Sequence, residues 1–497
     1  MKTFADYLKE TGEYGVVQSI ETPLFYVSGL PSVRPQEVVI TENGSRGIVQ
    51  VLLPDLVEVL MLEARNLTHQ EKVARVSEPV SIEVSEQMLG RVVDPLGNPL
   101  DGLGSNTSKK VQLAIDVKAP GILQRSRVVE SLETGVIIVD MMVQVGKGQK
   151  ELVAGDQKTG KTVFLLQTMT RQAQLGIVCI YVCIGKKKSD LKHVQSELNK
   201  SGALKNTVIV AATASDPVSF VYIAPFAGFT IAEFFRDRGQ NVCIILDDMT
   251  THAKYYREIA LVAKKTPGRG SYPGDVFHHQ ARLLERTGNI KLKNGKTASI
   301  TAFPVAETQE GDLTGYIQTN LMAMTDGHLF FDVEEFKRGR RPAISHNLSV
   351  TRVGNQTQSV VEKDLRRMIT FRLNNYYRFR ETSSFGVEIP VQYSTEINFG
   401  LKIEALLDQT SHQIIPKPLQ HLLLGLLFAN FWNEKELNQL LSDKQKIIDA
   451  YFSGKLKNLV LEITKANNFE YLATLLSKNV SFLNNITGGS LQQKTTA

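Results

Sequence analysis

The alternation of apolar and polar positions changes character twice along this chain, and each change predicts a different architecture. Between Glu13 and Glu78 the apolar residues fall into short extended runs, Gly15 to Ile20, Leu24 to Ser28, Glu37 to Thr41, Gly47 to Leu53 and Val57 to Leu62, broken by Pro, Gly and Asn-Gly. Such spacing predicts a small antiparallel β-barrel. From Pro79 to Val361, continuous apolar runs alternate with helical patterns: Ile177 to Ile184, Val208 to Ala212, Val242 to Leu246 and Ser299 to Val305. Strands apolar on both faces, joined by long connections, predict a mostly parallel sheet covered by helices. Beyond Glu362 strand runs are few, and Leu419, Leu422, Leu423, Leu426 and Leu427 recur at helical spacing. That region predicts a helical bundle, with a tail frayed after Asn485. The expected plan is a short extension over 1–12, a barrel over 13–78, an α/β domain over 79–363 and a helical domain over 364–497.

The most specific chemistry lies in the α/β region. Gly155, Asp156, Gln157, Lys158, Thr159, Gly160, Lys161 and Thr162 match G-x-x-x-x-G-K-[ST] in full. Glu151 to Ala154 leads in as a strand and Val163 to Leu166 leads out as a helix, the context the motif requires. Gly155 and Gly160 let the backbone curl so that successive N–H groups converge on phosphate oxygens at a helix N-terminus. Lys161 reaches the outer phosphates and the Thr162 hydroxyl meets Mg²⁺. Val242 to Leu246 ends in Asp247-Asp248, and a carboxylate at the end of a buried parallel strand sits where the metal of a nucleotide site is held. Asp247 is expected to hold Mg²⁺ through water. The implied cofactors are ATP or ADP and Mg²⁺.

Composition narrows the remaining classes. The 497 residues are 42% hydrophobic and 22% charged, ordinary for a globular chain of several domains, and a net charge of +6 is not gathered into long basic runs. Lys186-Lys187-Lys188 is the one notable cluster, so no nucleic-acid partner is expected. Three cysteines fit a reducing compartment better than a disulfide framework. Cys179 and Cys183, four residues apart in a strand-like run, would lie about 13 Å apart, too far to bridge. The longest apolar stretch noted, Leu422 to Trp432, is about half of the roughly 20 residues a membrane span needs. The first ten residues mix charges without an apolar signal core. The expected location is the cytoplasm, peripheral to the cytoplasmic face of a membrane, with any membrane role indirect and through partners.

A wider set of segments carries a family resemblance. Gly90 to Pro99 (GRVVDPLGNP), Ala119-Pro120-Gly121-Ile122, the phosphate loop, Pro273 to Phe277 (PGDVF), Arg282 to Arg286 (RLLER) and Glu307-Thr308-Gln309 occur in the order found in rotary ATP synthase heads. The chain resembles the alpha subunits of the F-type ATP synthases, with Thr325-Asp326-Gly327 and Leu348 to Gly354 (LSVTRVG) as alpha-like segments. The resemblance covers roughly residues 13 to 380 well and the last hundred-odd loosely. It implies a P-loop (RecA-like) domain between barrel and bundle, a beta-type catalytic partner alternating with this chain in a hexamer, and a central gamma-like shaft. It also implies that Arg352 reaches across the interface to stabilise charge on the phosphoryl group in the partner's catalytic site, and that Gln409 lies near the adenine.

The resemblance further separates binding from turnover. Where the catalytic subunit carries a glutamate after the strand that follows the phosphate loop, this chain has Tyr181-Val182-Cys183-Ile184-Gly185-Lys186. A lysine is cationic at neutral pH and cannot orient water as a carboxylate does. The subunit is therefore expected to bind nucleotide without turning it over, acting as an enzyme only within its complex.

Several positions depart from the family. Lys186 stands where glutamine is usual, with two readings: a counter-charge near the terminal phosphate, or a solvated side chain beside Lys187 and Lys188. Gln157-Lys158 replaces Arg-Gln, Ser411 replaces a second glutamine, and Gly270 replaces an acid in the Pro267 to Gly270 loop that resembles the one facing the rotor. The short N-terminal segment and diverged bundle suggest a specialised relative like the F-like heads of wall-less bacteria, powering motility or transport rather than proton flow. Two other classes stay open: a self-sufficient hexameric ATPase such as an RNA translocase, and a structural subunit using nucleotide only to hold an interface.

Overall fold

A computed structural model describes residues 2–63, 65–104, 110–384 and 391–488. The chain divides into two compact units, one formed by residues 1–127, 147–157 and 172–328, the other by 128–146, 158–171 and 329–497.

The first unit opens with a helix, α1 (Phe4–Thr11), and a closed barrel of β1 (Tyr14–Glu21), β2 (Leu24–Ser28), β3 (Glu37–Thr41), β4 (Arg46–Leu52), β5 (Val57–Glu63) and β6 (Lys72–Pro79), in the order β1-β2-β5-β4-β3-β6. Alternate residues point inward, and Val17, Phe25, Val27, Val39, Val49, Val59 and Val73 form its dry core. The sixth strand was not read from the sequence because its second half, from Arg75, alternates weakly and its burial fades toward Pro79.

Beside a small two-stranded antiparallel ladder of β7 (Ser81–Val84) with β9 (Val111–Ala114), the same unit builds a sheet whose core is all parallel. Its strands run β12 (Glu151–Gly155), β17 (Thr297–Glu307), β15 (Val242–Asp247), β13 (Val178–Lys186), β14 (Thr207–Thr213) and β8 (Val92–Val93). Continuous Val, Ile, Cys and Ala runs are what two covered faces demand. Helices α4 (Lys188–Lys200), α5 (Val218–Arg236), α6 (Met249–Val262), α7 (Val276–Leu284) and α8 (Tyr316–Met324) belong to this unit. Helix α5 is long and apolar enough to cross a membrane by length and composition, which overtakes Leu422 to Trp432 as the longest such segment. It is mostly buried and packs on β13, β14 and β15, so it is a core helix.

The second unit contains a short ladder of β10 (Ser131–Leu132) with β11 (Val145–Gly146), the strands β18 (Gly327–Phe331, from Leu329) and β19 (Val350–Thr351), and most of the helices. These are α2 (Ile137–Met142), the opening of α3 (Lys161–Gln174), α9 (Val333–Lys337), α10 (Val360–Ser384), α11 (Val391–Leu407), α12 (Lys417–Phe428), α13 (Leu437–Phe452), α14 (Lys457–Ile463), α15 (Phe469–Lys478) and α16 (Val480–Thr487). All six Leu residues of α12 are wholly buried, which makes it a core helix of the bundle. Trp432 is also wholly buried and its indole N–H donates to Asp443 at 3.1 Å. The chain after Asn485 continues as helix to Thr487, closed by Gly488 in the left-handed conformation; the rest of the expected frayed tail lies outside the described residues.

Candidate functional site

In the first unit the sheet register brings the chemistry to one edge. Gly155 at the end of β12 pairs with Glu307 on β17, and Cys183 on β13 pairs with Asp247 at the end of β15. Ligands of open α/β sheets bind outside such carboxyl ends. The first half of the phosphate loop is braced there: Asp156 accepts hydrogen bonds from the Thr308 hydroxyl and from the Gly311 N–H at 3.0 Å, and Gln157 donates to Glu307 at 3.1 Å. The Glu307-Thr308 strand end thus fixes the exit of β12.

Asp247 has a partner on each carboxylate oxygen. Lys186 Nζ lies 2.7 Å from its Oδ1, and the wholly buried Tyr181 hydroxyl donates to its Oδ2 at 2.6 Å. Burial works against the Lys186 charge, but Asp247, Asp248 and Glu307 together outweigh it and hold its pKa above the ordinary value. Asp248 has a different task, capping α6 by accepting from the Thr251 N–H at 2.6 Å. Burial, with the Asp247 charge second, pushes its carboxyl up to about 6.

In the second unit the phosphate loop continues into α3. Lys158 has φ 64° and Gly160 φ 102°, and the space beside Gly160 is open, so the left-handed backbone rather than crowding requires glycine there. Lys161 is 8% exposed at the first turn of α3, where backbone N–H groups are unsatisfied by the helix itself. The helix is seated by Phe164, wholly buried with its ring centroid 5.8 Å from that of Phe331, and by Gln167, which donates to the Thr410 carbonyl at 2.9 Å.

Gln409 joins the same support. Its carboxamide oxygen accepts from the Ile137 N–H at 2.6 Å, while its amide donates to the carbonyls of Gly135 at 3.0 Å and Gln413 at 3.1 Å. Both amide hydrogens are spent on the protein. Lys444 of α13 fixes the preceding segment by donating to the carbonyls of Ala405 at 3.0 Å, Leu406 at 3.1 Å and Asp408 at 2.5 Å, which caps the end of α11.

Arg352 follows β19 and is exposed, with no hydrogen-bond or ion-pair partner among the described residues. The turn that presents it is anchored: the Thr351 hydroxyl donates to the Gln144 carbonyl at 2.9 Å and accepts from the Gly354 N–H at 3.0 Å. A free guanidinium on a fixed turn is suited to meeting an anion outside its own subunit.

The family model of the ATP synthase alpha/beta family, nucleotide-binding domain, matches residues 135–351. The chain is 37% identical over 484 residues to ATP synthase subunit alpha of Ehrlichia chaffeensis, covering 92% of this chain and 94% of that protein. It is 38% identical over 448 residues to ATP synthase subunit alpha of Neorickettsia sennetsu, covering 88% of each. The chain is an ATP synthase alpha subunit by family. Membership makes it a nucleotide-binding component of an F-type complex, and the barrel, parallel-sheet domain and helical region are the architecture the alpha resemblance implies.

Three residues singled out in the sequence have partners within the protein. Lys186 is neither solvated beside Lys187 and Lys188 nor free to act alone, since it is paired with Asp247. Asp247, expected to hold Mg²⁺ through water, carries the Lys186 ammonium on one carboxylate oxygen and the Tyr181 hydroxyl on the other, one contact each. Among the described residues no cluster of three or more His, Cys, Asp or Glu could hold a metal ion. Gln409 acts on the protein backbone rather than presenting a free carboxamide. Sequence reasoning assigned no role to Tyr181, Lys444 or Thr308; Tyr181 and Thr308 lie inside segments already singled out, whereas Lys444 carried no signal.

Proposed function

We propose that this chain is the non-catalytic, nucleotide-holding subunit of a rotary ATPase head, which lends Arg352 to the catalytic site of an adjacent beta-type subunit. The observation that carries the reading is the end of β13, where Lys186 stands with its ammonium on Asp247 and no carboxylate emerges to polarise water. A cation so placed cannot accept a proton. The motif supplies what holding requires: the two glycines, the Lys161 ammonium and the Thr162 hydroxyl, with Asp156 and Gln157 tied to the end of β17 and the residues just after it. Asp156, Gln157 and Thr159 shape that loop, and Gln409 stiffens the segment beside it. The metal that accompanies a nucleoside triphosphate would be met by the Thr162 hydroxyl, the remaining oxygen donor of the motif.

Arg352 supports the second half of the reading by being exposed, unpartnered and rigidly presented. An arginine supplied in trans is worth roughly 10³ to 10⁵ in rate to a phosphoryl transfer. The partners follow: beta-type subunits alternating with this chain, a gamma-like shaft against the Pro267 to Gly270 loop, and contact with a membrane only through the rest of the machine, at its cytoplasmic face.

Steady-state ATP hydrolysis tests this, measured for the purified chain alone and mixed with its beta-type partner. Activity confined to the mixture and lost with Arg352→Ala is expected. Robust turnover by the lone chain would replace the reading with a self-sufficient ATPase, and full activity of the Arg352→Ala mixture would leave a purely structural subunit.

A further inference from the structure

The small ladder in the first unit leaves one edge of β9 without a strand partner among the described residues. Its register fixes which main-chain groups face outward. The N–H of Ile115, just past β9, donates to the Val80 carbonyl at 2.9 Å, and antiparallel hydrogen bonds join every second facing pair. Leu113 faces Ile82 and Val111 faces Val84, so these two turn their main-chain groups toward β7, while Gln112 and Ala114 turn theirs away from it. The Ala114 carbonyl accepts from the Thr230 hydroxyl at 3.3 Å. The N–H groups of Gln112 and Ala114 and the Gln112 carbonyl have no hydrogen bond to the described residues. Edge strands are usually guarded by a charge, a proline or a bulge. The β9 sequence, Val-Gln-Leu-Ala in an unbroken register, carries none of these.

That edge borders a groove of about 400 Å³, lined on its other side by the last turns of α5. Val111, Leu113 and Phe234 give it apolar walls, and its unspent polar groups are cationic. Lys118 is exposed, with no hydrogen-bond or ion-pair partner among the described residues. Arg236 is 6% exposed, and its Nη1 makes no hydrogen bond, although a Glu233 oxygen lies 3.5 Å away. The two acids of the groove are already engaged: buried Arg286 donates to both oxygens of Glu233, and Asp237 is paired with Arg236. Pro120 and Gln124 also line the groove, and the turn between them holds out Ile122 and Leu123, 85% and 91% exposed.

We propose that this groove receives an extended, carboxylate-bearing segment of a partner protein, which adds to β9 as a third strand of the ladder. Main-chain bonds to Gln112 and Ala114 supply affinity, and carboxylates on alternate residues meet Lys118 and Arg236. The four residues of β9 extend about 13 Å, so the recognised stretch is about four residues long. Such docking requires neither nucleotide nor Arg352.

Fluorescence anisotropy of the full chain with a labelled hexapeptide of alternating valine and glutamate tests this. Saturable binding is expected, and the matched peptide of alternating valine and lysine should bind at least about tenfold more weakly. Methylating every backbone nitrogen of the glutamate peptide removes its bonds to the strand edge and should likewise weaken it about tenfold or more. Gln112→Pro removes an outward N–H at a position where an edge strand tolerates proline, so it should weaken binding by a similar factor at a near-parental melting temperature. Absence of saturable binding by the glutamate peptide would overturn the proposal, as would equal binding of its methylated form or of the lysine peptide. The methylated peptide needs no variant and decides the matter even where Gln112→Pro melts early.

Discussion

Replacing Gly354 by Ala tests whether the turn that presents Arg352 is positioned by packing. An added Cβ would lie 1.5 Å from the Gln144 carbonyl oxygen, 2.5 Å from its carbon and 2.7 Å from the Thr351 hydroxyl. Ordinary non-bonded carbon contacts begin at about 3.5 Å, so turn and strand must part by about 2 Å. Gln144 contributes backbone here, which cannot rotate away as a flexible side chain could. That separation breaks the Thr351 bond to Gln144 and strains the Gly354 bond to Thr351, now 2.9 and 3.0 Å. Two hydrogen bonds, with a buried carbonyl left unsatisfied, amount to about 2–4 kcal/mol. A domain of this size loses about 2–4 °C of melting temperature per kcal/mol, so calorimetry should show the transition falling by about 5–15 °C. Arg352 lies two residues from the change, and a displacement of about 1 Å in a catalytic group costs on the order of 10² in rate. Hydrolysis by the complex with the beta-type partner should fall accordingly, while ATP binding by the chain alone stays unchanged, because the phosphate loop is not touched. A variant that melts early yet hydrolyses at the parental rate would refute the link from this turn to Arg352. An unchanged melting temperature would refute the packing argument itself.

Lys161→Ala should abolish ATP retention by the chain, with and without Mg²⁺, in equilibrium dialysis, because the loss of its ammonium is not replaced by metal. Gln409→Ala strands the Ile137 N–H and the Gly135 carbonyl that it now satisfies, and denaturant unfolding should show a loss of about 2–4 kcal/mol. Burial pushes Lys444 down to about 8 from an ordinary 10.5, so between those values the unfolded chain holds more protons than the folded one and stability rises with pH. Lys444→Met should flatten that rise by up to about 1.4 kcal/mol per pH unit, read from paired unfolding curves at pH 8 and pH 10.

What the sequence discloses and what it hides divide along the range of the interactions. The phosphate loop is legible because its function is local: two glycines, a lysine and a threonine at fixed spacing between a strand and a helix need no distant partner to be recognised. The buried strands are legible for the same reason, since Val-Cys-Ile-Tyr-Val-Cys-Ile is apolar on both faces in itself. Lys186 and Asp247 are 61 positions apart in sequence, Tyr181 and Asp247 66, and their meeting depends on β13 and β15 being neighbours in register, with Cys183 opposite Asp247. A single-chain reading sees a lysine among three lysines and an acid after a strand, and assigns each the role its own surroundings suggest. Gln409 shows the same limit in reverse: its neighbours in sequence point to a ligand, but its amide is consumed by Gly135 and Ile137, more than two hundred residues earlier. The departures from the family pattern therefore carry their meaning in pairs. Lys186 in place of glutamine is not a lone surface charge: it is the ion-pair partner of Asp247, and that partnership exists only because β13 and β15 are neighbours in register.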